Sequence, residues 1–330
     1  MLHFSFSGKS ILIGSFLVVS ASVHCFSQER AYRVFSTQKV IQTTKKEYPE
    51  YQKQVEEIEK AVSTFASRGD DKQTYQVPVI FHLVETKGQK TPDEEQIRYQ
   101  LDVLNKCFGS YEPEKQSFTN AIVEQFTSIG VNPGIQFYIP ETIEGVKGID
   151  IVNSSKTEFA TGNEIQNPKT GGIAAIDSEK VINVWVGKLE GYSSGYAHFP
   201  GAPADLDGIV IDPEFFGNEK GTAKTPYTQG KTLVHLMGTY LGLYELWNES
   251  DPCADDMVAD TPIHNAPNSV ISKEANSKVI TMCHGYIQAM YMNFMDNSDD
   301  EMLTLFTQGQ KDRMRAMLAD GGLRNGLVTK

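Results

Sequence analysis

At 330 residues the chain suits one large domain or two small ones. It carries 42 acidic against 30 basic residues, a formal charge of −12, and a surface of that sign repels phosphate backbones, which argues against nucleic acid as a partner. Past the first two dozen residues no apolar run approaches the length needed to cross a bilayer, so no membrane span is expected in the mature chain.

Residues 1–27 hold a single charge, Lys9, ahead of an apolar run from Ile11 to Val23. The run is too short for a membrane helix and reads as the apolar region of a signal peptide. Cys25 and Ser27 place small residues at positions −3 and −1 of a cleavage before Gln28. The expectation is a secreted protein: periplasmic, on the cell surface or extracellular. A lipoprotein anchor on Cys25 is the alternative, and it would call for a small residue where His24 stands. Three cysteines then remain, Cys107, Cys253 and Cys283, and an oxidising compartment predicts one pair and one leftover.

Residues 28–75 form a charged segment that ends in the polar linker Ser67–Lys72. Within it Tyr51, Val55, Ile58, Val62 and Phe65 recur at steps of three and four, which predicts an amphipathic helix with a stripe to bury. From residue 76 to 330 short β-rich runs (Val77–Val84, Gln136–Ile139, Val181–Val186, Gly208–Ile211) alternate with two longer helical stretches, Pro92–Cys107 and about Tyr227–Leu243. Cys107 falls on the first helix as a small core residue. After Tyr244 the chain reads mostly as loop until a helix from about Thr307 to Leu318. The pattern is α+β, a twisted mixed sheet backed by two helices, the second carrying His235.

That second helix holds the most informative feature. His235 opens His-Leu-Met-Gly-Thr-Tyr-Leu-Gly-Leu-Tyr-Glu, ending at Glu245. The zinc-peptidase signature is H-E-x-x-H-x-x-G-x-x-H. His235 and Gly242 are in register with it, whereas Leu236 stands at the general base, Thr239 at the second ligand and Glu245 at the third. Further motifs follow in order: the acidic loop Asp255–Pro262, the run Tyr291–Asp300 containing Met295, and Leu305–Gln310. Upstream lie Val77–His82, Ile182–Val186, Gly195–Gly201 and Asp207–Asp212. Together these segments resemble the pappalysin/cytophagalysin family of metzincin zinc metallopeptidases, from about residue 30 to about 320.

The resemblance implies a metzincin-like zincin fold with Met295 in the Met-turn and a propeptide-like segment ahead of it. It implies that Arg33–Thr37 threads the active-site cleft, with Phe35 where family members carry the cysteine that caps zinc. It pairs Cys253 with Cys283 and leaves Cys107 free. It puts calcium on Asp256, the Val258 carbonyl and Thr261, although an Asx-type turn with Asp side chains capping backbone amides reads the same loop equally well. At the position of the family's oxyanion-stabilising tyrosine stands Asn297.

These replacements argue against zinc. A catalytic zinc takes three protein ligands and a water, and here one imidazole and one carboxylate remain. Leu236 exchanges no proton. His82, His198, His264 and His284 have no ligand-like spacing and read as hydrogen-bonded core residues; a site rebuilt from His198, His235 and Glu245 has no support in the spacing. The leading expectation is a catalytically inactive pappalysin-like homologue that binds a peptide or protein through a retained cleft, since main-chain pairing to an edge strand needs no metal. Phe35 is expected to face Leu236 in that cleft. The alternatives are an active zinc metalloendopeptidase with a rebuilt site, and a structural subunit of an envelope or surface complex whose cleft is filled.

Overall fold

The computed structural model describes residues 31–66, 73–110, 125–126, 128–269, 279–283 and 285–328. The expected signal peptide with its cleavage site, the lipoprotein alternative and His284 lie outside the described residues.

The first described elements are two helices, α1 (Thr37–Glu47) and α2 (Pro49–Ala66). It continues through β1 (Tyr75–Glu85), α3 (Glu94–Gly109) and β2 (Ile135–Tyr138). A small hairpin of β3 (Thr142–Ile143) and β4 (Val146–Lys147) leads into β5 (Ile149–Asn153). Then come β6 (Ile182–Val186), β7 (Gly195–Ala197), β8 (Ile209–Ile211) and α4 (Lys231–Tyr240). A second hairpin of β9 (Ile280–Thr281) and β10 (Ile287–Gln288) precedes α5 (Gln308–Leu318).

The sheet runs β2-β1-β6-β8-β7, and β5 pairs with the far half of β1. All neighbours are parallel except β7 and β8. The parallel strands are covered on both faces, which is why they read as nearly unbroken apolar runs. Val77, Val79, Phe81 and Leu83 of β1 meet Ile97 and Leu104 of α3 and Leu233 and Leu236 of α4 in the main core. Val84, Trp185, Tyr196 and Val210 face the other way, onto Val40 of α1 and the loop residues Phe159, Ile165 and Ile173.

The N-terminal segment is bound to the domain. Tyr51, Val55, Ile58 and Phe65 are buried as the stripe requires, against Phe199, Ala316, Met317 and Ala319. Arg313 of α5 grips Glu59 of α2 through both guanidinium nitrogens at 2.5 and 3.0 Å. Asp93 caps α3 by accepting from the Gln96 amide, and Thr307 with Gln310 forms a reciprocal capping box on α5.

The mixed sheet, its two helices α3 and α4, the C-terminal helix α5 and the helical segment ahead of them stand as expected, and one boundary needs correction. The His235 helix starts at Lys231 instead of near Tyr227: Gly230 takes a left-handed φ of 69°, and the Asp300 carboxylate accepts the Gln229 and Lys231 amides at 2.9 and 3.2 Å. A carboxylate some seventy positions away in sequence thus satisfies the helix's first amides.

Candidate functional site

Every residue of α4 from Thr232 to Tyr240 is buried, so the helix presents its polar side chains inward. His235 Nδ1 lies 3.0 Å from the Phe294 carbonyl oxygen. A carbonyl only accepts, so Nδ1 is the donor and Nε2 is turned the other way. One turn on is Thr239, on the same helix face. After Gly242, whose left-handed φ of 93° bends the chain, Glu245 comes back over that face. Its Oε1 stands 3.6 Å from His235 Nε2, and its Oε2 accepts from Gln38 of α1. Met295 lies under the helix, where a Cβ added at Gly238 would come within 2.6 Å of its sulfur.

The positions singled out by sequence are therefore brought together. Three of their atoms, His235 Nε2, Thr239 Oγ1 and Glu245 Oε1, are buried without a hydrogen-bond partner. They mark the place where the metzincin pattern puts zinc, and the residues present do not fit a catalytic one. The donors are one imidazole, one carboxylate and one neutral hydroxyl, with no side chain at Leu236 able to take a proton. The open position is also covered. The Phe35 ring stacks on His235 at 3.9 Å between centroids and 9° between planes.

Phe35 belongs to an extended stretch laid along the edge of the sheet. It bridges Gly195 of β7 in parallel. The Ser36 amide donates to the Gly195 carbonyl at 3.0 Å, and the Ser194 amide donates to the Val34 carbonyl at 2.8 Å. Gly195 has no room for a side chain: its φ is +152°, and a Cβ there would sit 2.6 Å from the Val210 carbonyl oxygen and 2.8 Å from Leu236 Cδ1. Phe35 shares the core with Leu236, whose Cδ1 also lies against Gly195, and its ring takes His235 as stacking partner.

Sequence reasoning matched Arg33 to the family motif without finding its partners. The guanidinium is fully buried. Nε donates to Asn297 Oδ1 at 2.9 Å, one Nη to Asp300 Oδ1 at 2.9 Å and to Thr232 Oγ1 at 3.3 Å, and the other Nη to the Ser298 carbonyl at 2.5 Å. The Tyr227 ring lies 4.6 Å from its carbon centre. Asn297 closes the arrangement by donating from Nδ2 to the Arg33 carbonyl at 3.1 Å. These partners lie up to 267 positions away, beyond any local pattern.

In the acidic loop the expected trio also converges. Thr261 Oγ1 is 2.6 Å from Asp256 Oδ2 and 2.8 Å from the Val258 oxygen, and the Val258 amide donates to Asp256 Oδ1 at 3.2 Å. Burial raises the Asp256 carboxyl to about 6. One hydroxyl proton faces two oxygens there, and the contacts among the three residues are those of an Asx-type turn. Cys253 and Cys283 are joined, with Cα atoms 5.4 Å apart. Cys107 is free and buried, and burial pushes its thiol up. His198 lies apart from His235, beside Tyr196, and burial brings it down to about 4. His82 Nε2 lies 2.8 Å from Asn183, and His264 Nε2 accepts from the Met290 amide.

The His235 helix, the Met295 turn beneath it and the edge strand beside it together define a metzincin-type metallopeptidase fold. The family model for peptidase family M43, described as pregnancy-associated plasma protein-A, matches residues 172–319. The chain is 31% identical over 199 residues to an extracellular metalloprotease of Arthroderma otae, covering 56% of this chain and 66% of that one. It is 26% identical over 273 residues to an extracellular metalloprotease of Arthroderma benhamiae, covering 80% and 85%. Among solved structures it is similar to a promirolysin mutant of Tannerella forsythia (TM-score 0.76, 26% identity, 91% of this chain and 97% of that one). It is also similar to mature mirolysin of the same organism in complex with a cleaved peptide (TM-score 0.69, 27% identity, 78% and 97%). Over residues 172–319 the chain is thus similar to the pappalysin family of metallopeptidases.

Proposed function

We propose that this chain is a secreted, catalytically inactive pappalysin-type homologue that works by holding a polypeptide strand in its cleft. The observation that carries the reading is the stretch 33–36, paired along β7 with Phe35 stacked on the histidine that remains of the zinc site. Recognition by an edge strand uses main-chain hydrogen bonds and side-chain pockets, and needs neither zinc nor base. Mature mirolysin is described in complex with a cleaved peptide, which supports the same groove as a peptide site here. The relatives named extracellular metalloproteases support secretion.

Activity is argued against by the chemistry. Losing a positioned general base costs about 10²–10⁴ in rate even where metal is bound, and Leu236 offers none. The test is elemental analysis of the purified protein together with peptide hydrolysis under zinc supplementation. About one zinc per chain, lost in His235→Ala, with chelator-sensitive hydrolysis would overturn the reading.

A second reading, a structural subunit with a sealed cleft, is favoured by the burial of Phe35, which is 8% exposed. The two part on whether a peptide supplied in trans occupies the cleft once the chain's own strand is released.

A further inference from the structure

We infer that His235, Thr239 and Glu245 form a receptor for a primary alkylammonium group, the head of a small amine or of a lysine side chain. The poor match to zinc leads to it: the three positions are short of metal ligands and rich in hydrogen-bond acceptors. The inference goes beyond the strand-holding function and does not depend on it.

Two of the acceptors are fixed by a contact at their other end. His235 Nδ1 donates to the Phe294 carbonyl, so the neutral ring turns a bare lone pair on Nε2 towards Glu245. Glu245 Oε2 takes the Gln38 side-chain amide, and Gln38 is held in turn by the Trp247 carbonyl and the Glu249 amide at 3.3 and 3.1 Å. That leaves Oε1, 3.6 Å from Nε2 and too far for a hydrogen bond between them. Thr239 Oγ1 offers lone pairs whichever way its proton points. All three atoms are buried and unpartnered, and buried acceptors of that kind call for N–H donors. An ammonium supplies three, and the carboxylate supplies the counter-charge. A hard metal cation is a worse match, because it takes oxygen ligands and one of the three atoms is a nitrogen.

The surroundings suit an alkyl chain behind that head. A cavity of about 150 Å³ reaches Thr239 and Glu245 between α1 and the loop that follows α4. It has room for about five heavy atoms at roughly 30 Å³ each. Ile41, Phe199, Leu243, Tyr244 and Trp247 line it. Methylene groups gain by burial against such walls, and aromatic faces attract a cation. Phe35 stacks on the face of the imidazole and leaves the ring's edge, where Nε2 stands, to Glu245. Lys45 is the one cation lining the cavity, so it opposes the ligand. The indole N–H of Trp247 is buried and unpaired as well, which makes it a reporter of anything that enters.

The test is titration of the full chain in amine-free buffer containing EDTA, followed by NMR at the Trp247 indole N–H. The probes are n-butylamine, the amide of acetyl-lysine, N,N,N-trimethylbutylammonium, which has no N–H donor, and n-butanol, which has no charge. Butylamine should bind, and the last two should bind at least about 10-fold more weakly. Glu245→Gln should weaken butylamine by about 10–100-fold. Thr239→Val should weaken it less, and Lys45→Gln should tighten it. If Glu245→Gln does not fold, Lys45→Gln and the series of probes decide. Lysine amide binding as tightly as butylamine would assign the ammonium to a polypeptide side chain, and butylamine binding alone would assign it to a free amine. No response to butylamine, or an equal response to butylamine and butanol, would overturn the inference. Water or an ion pair of His235 with Glu245 would then satisfy these atoms, and the strand-holding function would stand untouched.

Discussion

Two regions of this molecule match the same family pattern and differ in what they keep. Around His235 the positions that carry chemistry are changed, yet their surroundings remain: the Phe294 carbonyl on Nδ1, Met295 under Gly238, and the β7 edge within reach. In the disulfide-closed loop the reverse holds, since Asp256, Val258, Thr261 and both cysteines stand where the pattern puts them. In the first region polar atoms are left buried and unpaired, whereas in the second each has a partner. Unpaired buried atoms detract from stability and paired ones do not. The scaffold around His235 is therefore held by apolar packing and by the inserted strand, and the loop by its own polar contacts.

The largest effect should come from breaking the strand that fills the first region. Arg33→Ala leaves the Asp300 carboxylate at 0% side-chain exposure without its cation. Removing one partner of a buried pair costs about 3–5 kcal/mol. Denaturant unfolding should show that loss. A change within about 0.5 kcal/mol, the range of ordinary surface substitutions, would mean that the strand contributes nothing to the fold.

The loop should respond to loss of its covalent closure. Changing Cys253 and Cys283 together to Ser frees a sequence separation of 30 residues, worth about 3–4 kcal/mol in the chain-entropy account. Mass mapping of non-reduced peptides should find Cys107 unpaired in the native protein. A Cys107 pairing would overturn the assignment.

The loop also predicts a pH dependence of definite sign. The Asp256 carboxyl is raised by burial from 3.8 to about 6 in the folded chain. The folded state thus holds a proton that the unfolded chain releases, so stability rises as pH falls from about 6 towards 4 and is lower above 6. The difference is on the order of 3 kcal/mol. Calcium, if the loop takes it, favours the ionised form and should flatten this dependence by stabilising the protein at pH 7 more than at pH 5. The same profile in Asp256→Asn would show that another group titrates.

Much of this was legible in the sequence for a physical reason. Strands buried on both faces leave unbroken runs such as Val77–Val84, and a helix lying on a domain leaves a stripe such as Tyr51–Phe65. The His235 and Met295 segments were found by their order along the chain. Helix α1 was not: its buried side chains are Thr37, Val40, Ile41 and Thr44, too few and too polar for a periodic signal. The start of α4 was placed wrongly because Asp300, which satisfies its first amides, is remote in sequence. The partners of Arg33 were hidden for the same reason. Asn297 could be read as a lost catalytic position, but only the fold shows what it touches.

The smallest effect gives the sharpest contrast, because one substitution can be made in both regions. Thr239 Oγ1 is buried with no partner, so Thr239→Val removes an unpaired hydroxyl and nearly keeps the shape. Stability should stay level or rise by up to about 1 kcal/mol. Thr261 Oγ1 faces both Asp256 and the Val258 oxygen, so Thr261→Val strands a buried carboxylate and should cost about 1–3 kcal/mol. The signs should differ although the chemical change is the same. If Thr239→Val instead destabilised as much as Thr261→Val, its hydroxyl would be holding a guest between His235 and Glu245. The first region would then be a rebuilt polar site rather than a stripped one.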